Sequence, residues 1–195
     1  MPGRRQTSAA FSLVELLIVI ALMGIVAALA LPSLSPAIHE QLEGAAQVIS
    51  HDLAYARGLA VSNNSSYRLT FDTGANQYVL RHSGANPALD SLPSNPFQAP
   101  GGDPTRYVVS LGELAMLGGQ VQLAAIGTTG ARPSPQTDLE FGPLGATTRT
   151  DPTVIWLRAG VGAAQRYISV SVNPVTGLAS VGEFTGAGPP ASLTP

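Results

Sequence analysis

Residues 11–34 read FSLVELLIVIALMGIVAALALPSL, and the reading of the whole chain starts there. From Leu16 onward there is no charge until His39 and Glu40, so about twenty consecutive residues are apolar or small, roughly enough at 1.5 Å per residue to cross the hydrocarbon core of a bilayer. The stretch predicts a membrane helix. Arg4 and Arg5 precede it with no acid before Glu15, and a short basic flank marks the cytoplasmic side, which sends the rest of the chain outward. Glu15 breaks the hydropathy. An ionised carboxylate costs on the order of 2.5 to 3.5 kcal/mol near a bilayer centre and less near an interface, so it either reaches water at the headgroups or pairs with a cation from another helix.

The order of these features resembles the N-terminal signature of type IV pilins and type II secretion pseudopilins: a short basic leader (MPGRRQTSAA), then Phe11, Ser12, Leu13, Val14, Glu15 and an unbroken apolar helix. The resemblance implies that a prepilin peptidase cuts between Ala10 and Phe11 and methylates the new amino terminus on Phe11. It also implies an assembly role for Glu15, which neutralises the N-terminal amine of a neighbouring subunit. Ala10 departs from the glycine most often found before the cut, but alanine is small enough for the same pocket. A secretory signal peptide is the ordinary alternative, and residues 28–30 mimic its cleavage site; the apolar run continues to Leu34, however, and Glu15 interrupts its start.

Composition bounds the remainder. Of 195 residues the leader and helix take about sixty, leaving one domain's worth of chain outside the membrane. There is no cysteine, which excludes disulfides, thiolate nucleophiles and cysteine metal sites. All ten basic residues are arginine; loss of the leader leaves eight against twelve acids, a net charge of about −4 that gives no attraction to nucleic acid.

Pro32 and Pro36 fall where the apolar run ends, and proline inside a helix removes a hydrogen bond and crowds the preceding turn, so a helix kink is expected at Pro32. Beyond it Ile38, Leu42, Ala45, Ala46, Ile49, Leu53, Ala56 and Ala60 recur at three- and four-residue intervals, opposite Glu40, Glu43, Gln47, Ser50 and Arg57. This is an amphipathic continuation of the helix, running to the turn formers at residues 62–65. His39 and His51 lie about three turns apart, too far to chelate one metal, and read as solvated.

From Tyr67 the period changes to two, which predicts a hairpin of residues 67–71 and 77–82 around a turn at 72–76. Residues 83–105 hold five prolines and three glycines and read as a long surface loop. Strand-like runs follow at 107–111, 120–126, 138–141, 153–157, 167–172 and 178–184, the last two flanking the turn NPVTG. The expected organisation is therefore a leader (1–10), a transmembrane helix (11–35), its amphipathic continuation (36–62), a β-rich domain (63–184) and a disordered tail (185–195). The fold class is α+β: a pilin-like long N-terminal helix, half in the membrane and half amphipathic, packed on antiparallel β-sheet.

Three further segments, ARGLAVSNNSSYRLTFD (residues 56–72), LEFGPLG (139–145) and ISVSVNPVTGLASV (168–181), look like the landmarks of GspH/FimT-type minor pilins. The resemblance implies a minor pseudopilin: a structural subunit of the type II secretion pseudopilus, single-pass in the bacterial inner membrane, N-terminus cytoplasmic and domain periplasmic. Its implied partners are other pseudopilins or pilins through the N-terminal helix, the prepilin peptidase and inner-membrane lipid. A FimT-like minor subunit of a type IV pilus, serving pilus biogenesis or DNA uptake, is the alternative.

No enzyme is expected. Ser83 beside His82 lacks the glycine-serine-glycine elbow of a hydrolase, and GVGAAQ (residues 160–165) lacks the third glycine and the following helix of a dinucleotide site. Asp72, Asp90, Asp103, Asp138 and Asp151 are isolated in turns, where aspartate commonly satisfies its own backbone. The expectation is no metal, no cofactor, no small-molecule substrate and no favoured nucleic acid.

Overall fold

The structure is a computed structural model that describes residues 12–30, 38–93, 102–114, 120–130 and 132–193. It divides into two compact units, Met1–Pro36 and Ala37–Pro195.

In the first unit Leu13–Ala30 forms α1. Ser12 starts the helix: its Oγ accepts the backbone N–H of Glu15 at 3.2 Å and its carbonyl accepts that of Leu16 at 3.2 Å, so a side chain satisfies one of the first-turn donors that has no intrahelical partner. From Leu13 to Ile25 there is no polar face, and the large apolar side chains are exposed all round, from 41% at Val19 to 75% at Leu13. Eighteen residues rise about 27 Å, and among the described residues no helix is long and apolar enough to cross a membrane. The expected span of 11–35 overhangs α1 at both ends. Residue 11, residues 31–35 and the kink at Pro32 lie outside the described residues, as does continuity into the next helix.

The second unit begins with α2, Ile38–Ser62. Its stripe of Leu42, Ala45, Ala46, Ile49, Leu53, Ala56 and Ala60 is wholly buried, and the alanines let strands approach closely. Asn64 ends the helix in the left-handed region (φ 47°). Ser65 N–H reaches back to Ala60 O at 3.0 Å and Asn64 N–H to Val61 O at 3.3 Å, a Schellman closure with asparagine in the usual glycine position.

Among the described residues nine strands follow: β1 (Tyr67–Asp72), β2 (Gln77–His82), β3 (Tyr107–Ser110), β4 (Gln122–Thr128), β5 (Ser134–Pro135), β6 (Asp138–Phe141), β7 (Thr153–Ala159), β8 (Arg166–Val172) and β9 (Ala179–Val181). They make two antiparallel sheets, ordered β3-β2-β1-β6 and β5-β4-β7-β8-β9. Helix α2 packs against β1 and β6 of the first sheet and β7, β8 and β9 of the second. The alternation read at Tyr67, Leu69 and Phe71 puts all three inward, with Tyr78, Leu139, Phe141, Ile155, Ile168 and Val170 closing the core. The fold is α+β, a helix packed on antiparallel sheets.

Particular boundaries differ from those expected. Strand β4 starts two residues late and β7 runs two residues long; β5, a two-residue strand, has no sequence signal of its own. The described residues of the 83–105 loop make contacts of their own: Asn86 Oδ1 caps a 3-10 turn at Pro87–Leu89, and Leu92, buried, donates its N–H to Pro104 O at 2.8 Å. Residues 94–101 of it lie outside the described residues. His39 and His51 are both exposed as expected, His39 with its ring against Phe184.

The tail of 185–195 is not disordered over its described part. Thr185 and Tyr167 exchange both backbone bonds, at 2.9 and 3.0 Å, and a 3-10 turn at Ala191–Leu193 buries Leu193 to 1% exposure against β4 and β5. The physical reason is a single apolar anchor after two prolines, Pro189 and Pro190, that lower the entropy of the free chain.

Candidate assembly site and the polar clusters of the domain

Of the expected site residues, Glu15 is described; Ala10, Phe11 and Pro32 lie outside the described residues. Glu15 sits in the first turn of α1, where a negative charge meets the positive end of the helix dipole. Its exposed carboxylate has no ion-pair partner among the described residues. Ser12 and Glu15 have the S-x-x-E spacing of a capping box, which sequence reasoning passed over although the signal was present. Glu15 thus has a local role in starting the helix and a charge left for a partner.

Three polar clusters stand out among the described residues of the domain. Asp52, buried on the face of α2 that meets the first sheet, accepts the Tyr78 hydroxyl at 2.5 Å and the Tyr107 hydroxyl at 3.4 Å. Burial raises its pKa more than Tyr78, the nearby His51 and Tyr107 lower it. The same burial and the carboxylate raise Tyr78 well above its ordinary value and push Tyr107 up to about 12.

The second cluster is Ser65–His82–Asp90. Asp90 Oδ1 lies 2.7 Å from His82 Nδ1, and Ser65 Oγ lies 2.7 Å from Nε2. With Asp90 ionised and the imidazole neutral, Nδ1 carries the hydrogen and Nε2 accepts the serine hydroxyl. The order is that of a nucleophile, base and carboxylate, with Ser65 rather than the adjacent Ser83 as the serine. Gly84 packs against the pair: a Cβ there would lie 2.1 Å from Ser65 Oγ and 2.8 Å from His82 Nε2, so the loop backbone leaves no room for a side chain beside their bond. The cluster works as a clasp joining the turn after α2, the end of β2 and the loop that follows.

The third cluster corrects the expectation that Asp138 is isolated in a turn. It begins β6 between two guanidinium groups, 2.5 Å from Arg149 Nη2 and 3.6 Å from Arg68 Nε, while Arg68 also holds Glu140. Among the described residues no group of three or more histidine and acidic side chains could hold a metal ion.

The segments 56–72, 139–145 and 168–181 meet at one place. Arg57 Nε donates to Thr176 O at 2.8 Å, and Thr147 N–H donates to Pro174 O at 2.8 Å. A Cβ at Gly145 (φ 80°) would lie 3.1 Å from both Arg57 Nε and Val61 Cγ2, and one at Gly177 (φ 65°) only 1.9 Å from Gly145 O. Two glycine turns from different sheets therefore seat on the end of α2 with Arg57 between them. Leu144 and Val175 on these turns remain exposed.

Residues 5–31 match the prokaryotic N-terminal methylation motif, a range that contains Ala10, Phe11 and Glu15. The chain thus joins an N-terminal methylation motif to an α+β domain. Similar solved structures are two crystal forms of the type IV minor pilin FimU of Pseudomonas aeruginosa, each 15% identical. One covers 73% of this chain and 93% of FimU at a TM-score of 0.43, the other 80% and 94% at 0.42. No curated protein matches the chain in sequence.

Proposed function

We infer that the chain is a structural subunit of a pilin-type filament, anchored in a membrane by its N-terminal run and assembled through it. A prepilin peptidase cuts between Ala10 and Phe11, Phe11 carries the methylated amine, and Glu15 meets that amine on a neighbouring subunit. The observation that carries this reading is the combination on α1: an apolar helix with no polar face and one carboxylate without a cation, inside a methylation motif. Such a helix needs apolar surroundings on every side, which lipid and other helices of its kind supply. No reaction is assigned to the domain. The clasp at Ser65 is covered, and the remaining ionisable clusters join one element to another.

The anchor is a single pass through the bacterial inner membrane with the domain on the periplasmic side. Among filament systems we assign the type II secretion pseudopilus, as a minor pseudopilin. The second reading is a minor subunit of a type IV pilus, the kind of protein FimU is described as being.

Glu15→Ala tests the mechanism: the variant should still be cleaved and inserted, yet be missing from sheared filaments. Normal incorporation of that variant would sink the role given to Glu15. Deleting the gene separates the two systems, since loss of an exported protein with motility intact supports the pseudopilus, and the reverse supports the pilus.

A further inference from the structure

The outer face of the first sheet gathers like charges. Arg68 on β1 stands directly opposite Arg81 on β2, and both side chains are exposed. Arg106, one residue before β3, extends the row, because Tyr107 pairs with Leu80 and the antiparallel register carries Arg106 to Arg81. Like charges directly opposite one another destabilise a sheet, so three guanidinium groups side by side call for anions. Glu140, opposite Arg68 on its other side, pairs with that residue. Arg81 and Arg106 form no ion pair among the described residues. Both act on the exposed carboxylate of Asp103, which the N–H and hydroxyl of Thr105 first, and then Arg106 and Arg81, hold below its ordinary pKa. Two cations against that anion leave a positive charge over.

The opposite charge stands on the outward face of α2. Glu40 and Glu43 are exposed, and neither forms an ion pair among the described residues. Acids three residues apart on a helix repel each other. The positive end of the helix dipole accounts for Glu40, in the first turn, but the effect fades within that turn and leaves Glu43 without it. Spacing matches as well as sign. Side chains three apart on a helix have Cβ atoms about 5–6 Å apart, and residues opposed across neighbouring strands about 4.5–5.5 Å. Within one copy the two pairs do not meet: the acids lie near the start of α2 on the side turned from the core, and the arginines lie on the sheet face turned from it.

We propose that the outer face of the first sheet, at Arg81 and Arg106, docks the α2 of a second copy of the chain through its Glu40 and Glu43. The contact joins different patches on the two copies, so it is heterologous and repeats along a row of them. It rests on the filament reading above. Exposed ion pairs add little affinity by themselves, but between domains already held side by side they fix register and exclude mispaired arrangements.

The chain has no cysteine, so pairs of single-cysteine variants report contacts between copies. Gln47 follows Glu43 by about one turn of α2, and Thr70 follows Arg68 on the same face of β1; both are exposed. Full-length Gln47→Cys and Thr70→Cys chains with different tags are produced together in the source bacterium, and the filament and membrane fractions are treated with a short bismaleimide. Met23→Cys chains, oxidised in parallel, report association through α1. The expected result is a cross-link at 23 and a 47–70 cross-link. The latter should vanish when the Thr70→Cys chain also carries Arg81→Glu and Arg106→Glu. It should return when the Gln47→Cys chain then carries Glu40→Arg and Glu43→Arg, which also shows that the reversed chains are folded. A cross-link at 23 without one between 47 and 70, or a 47–70 product that survives the first reversal, overturns the docking and leaves the filament reading standing. Loss without return places the carboxylates elsewhere than on a second copy's α2 and overturns the proposal. No cross-link at 23 overturns association through α1, and the docking with it.

Discussion

The side-chain carbonyl of Asn76 accepts the backbone N–H of Leu123 at 2.8 Å, and its amide nitrogen donates to Val121 O at the same distance, so one side chain in the β1–β2 turn seams the first sheet to the opening of β4 in the second. Asn76 sits at φ 52°, a conformation that asparagine tolerates better than alanine. Asn76→Gly keeps the backbone and loses both bonds, a cost of about 1–3 kcal/mol if the partners are left unsatisfied. Asn76→Ala adds strain of roughly 1–2 kcal/mol. Urea unfolding of the detergent-solubilised chain should therefore rank wild type above glycine above alanine. Equal values for the two variants remove the strain argument, and a neutral glycine removes the seam.

Asp52 makes the stability of the domain depend on pH. Its pKa in the folded state lies above the ordinary 3.8, chiefly through burial, so the folded state holds the proton more tightly than the unfolded one. Stability from this group is greatest below about pH 3.8 and is lost as pH rises through the folded-state pKa. In Asp52→Asn the side-chain amide oxygen still accepts the Tyr78 hydroxyl but the group does not ionise, so this variant should gain on wild type between acid and neutral pH. Asp52→Ala should be weaker throughout, by about 1–3 kcal/mol for an orphaned buried hydroxyl. Tyr107 adds an alkaline limb, its contribution falling as pH climbs from 10 through about 12. Parallel acid-to-neutral profiles for wild type and Asp52→Asn would show that the carboxylate is not desolvated.

Gly84 is required by the clasp rather than by its own backbone angles. A methyl group there meets Ser65 Oγ and His82 Nε2, so Gly84→Ala must displace the Ser65 hydroxyl or the His82 ring and break the clasp, at about 1–3 kcal/mol for a small-to-large change in a tight site. Pairing it with Ser65→Gly removes the nearer obstacle and should recover part of that loss, whereas Ser65→Gly alone should destabilise by loss of its bond to His82. Additive losses in the double variant would mean that the two residues do not touch. Chromogenic esters should be turned over no faster by wild type than by His82→Gln.

How much of this could be read beforehand depends on how local the signal was. Both helices were legible because a period of 3.6 and an uncharged run are contained within the segment itself. The start of β4 was not, because Val121 gives its carbonyl to Asn76, a residue 45 positions away. Asp52 looks like a polar-face residue beside His51, and only Tyr78 and Tyr107, 26 and 55 positions on, make it a buried acceptor. Ser83 drew notice as the neighbour of His82, yet adjacent residues of an extended chain point to opposite sides, and the serine that reaches the ring comes from the turn after α2. Glu15 stood out as a charge in an apolar run. Which cation it meets lies on another molecule, and no single chain can carry that information.

Leu193 is the least expected part of the domain and the easiest to isolate. A Cβ on Gly127 would lie 2.3 Å from its Cδ2 and 2.6 Å from Ser134 O, so β4 keeps a glycine where the leucine crosses the short β4–β5 ladder. That ladder has only two register pairs, Gly127 with Pro135 and Thr128 with Ser134, plus the bond from Gln136 N–H to Ile126 O. Two pairs close little surface by themselves, so the leucine is what keeps water from this edge. Leu193→Ala should cost about 2–3 kcal/mol locally, the lower part of the range for a buried leucine because the site lies at an edge. The loss should open β5 without unfolding the sheet. Hydrogen exchange reads this directly: Gln136 and Leu193 amides should exchange faster in the variant while Val170 and Leu157 keep their protection. Gly127→Ala should reproduce the pattern by expelling the leucine from the other side. Uniform acceleration across β7 and β8 in either variant would mean that the tail supports the whole sheet rather than its edge.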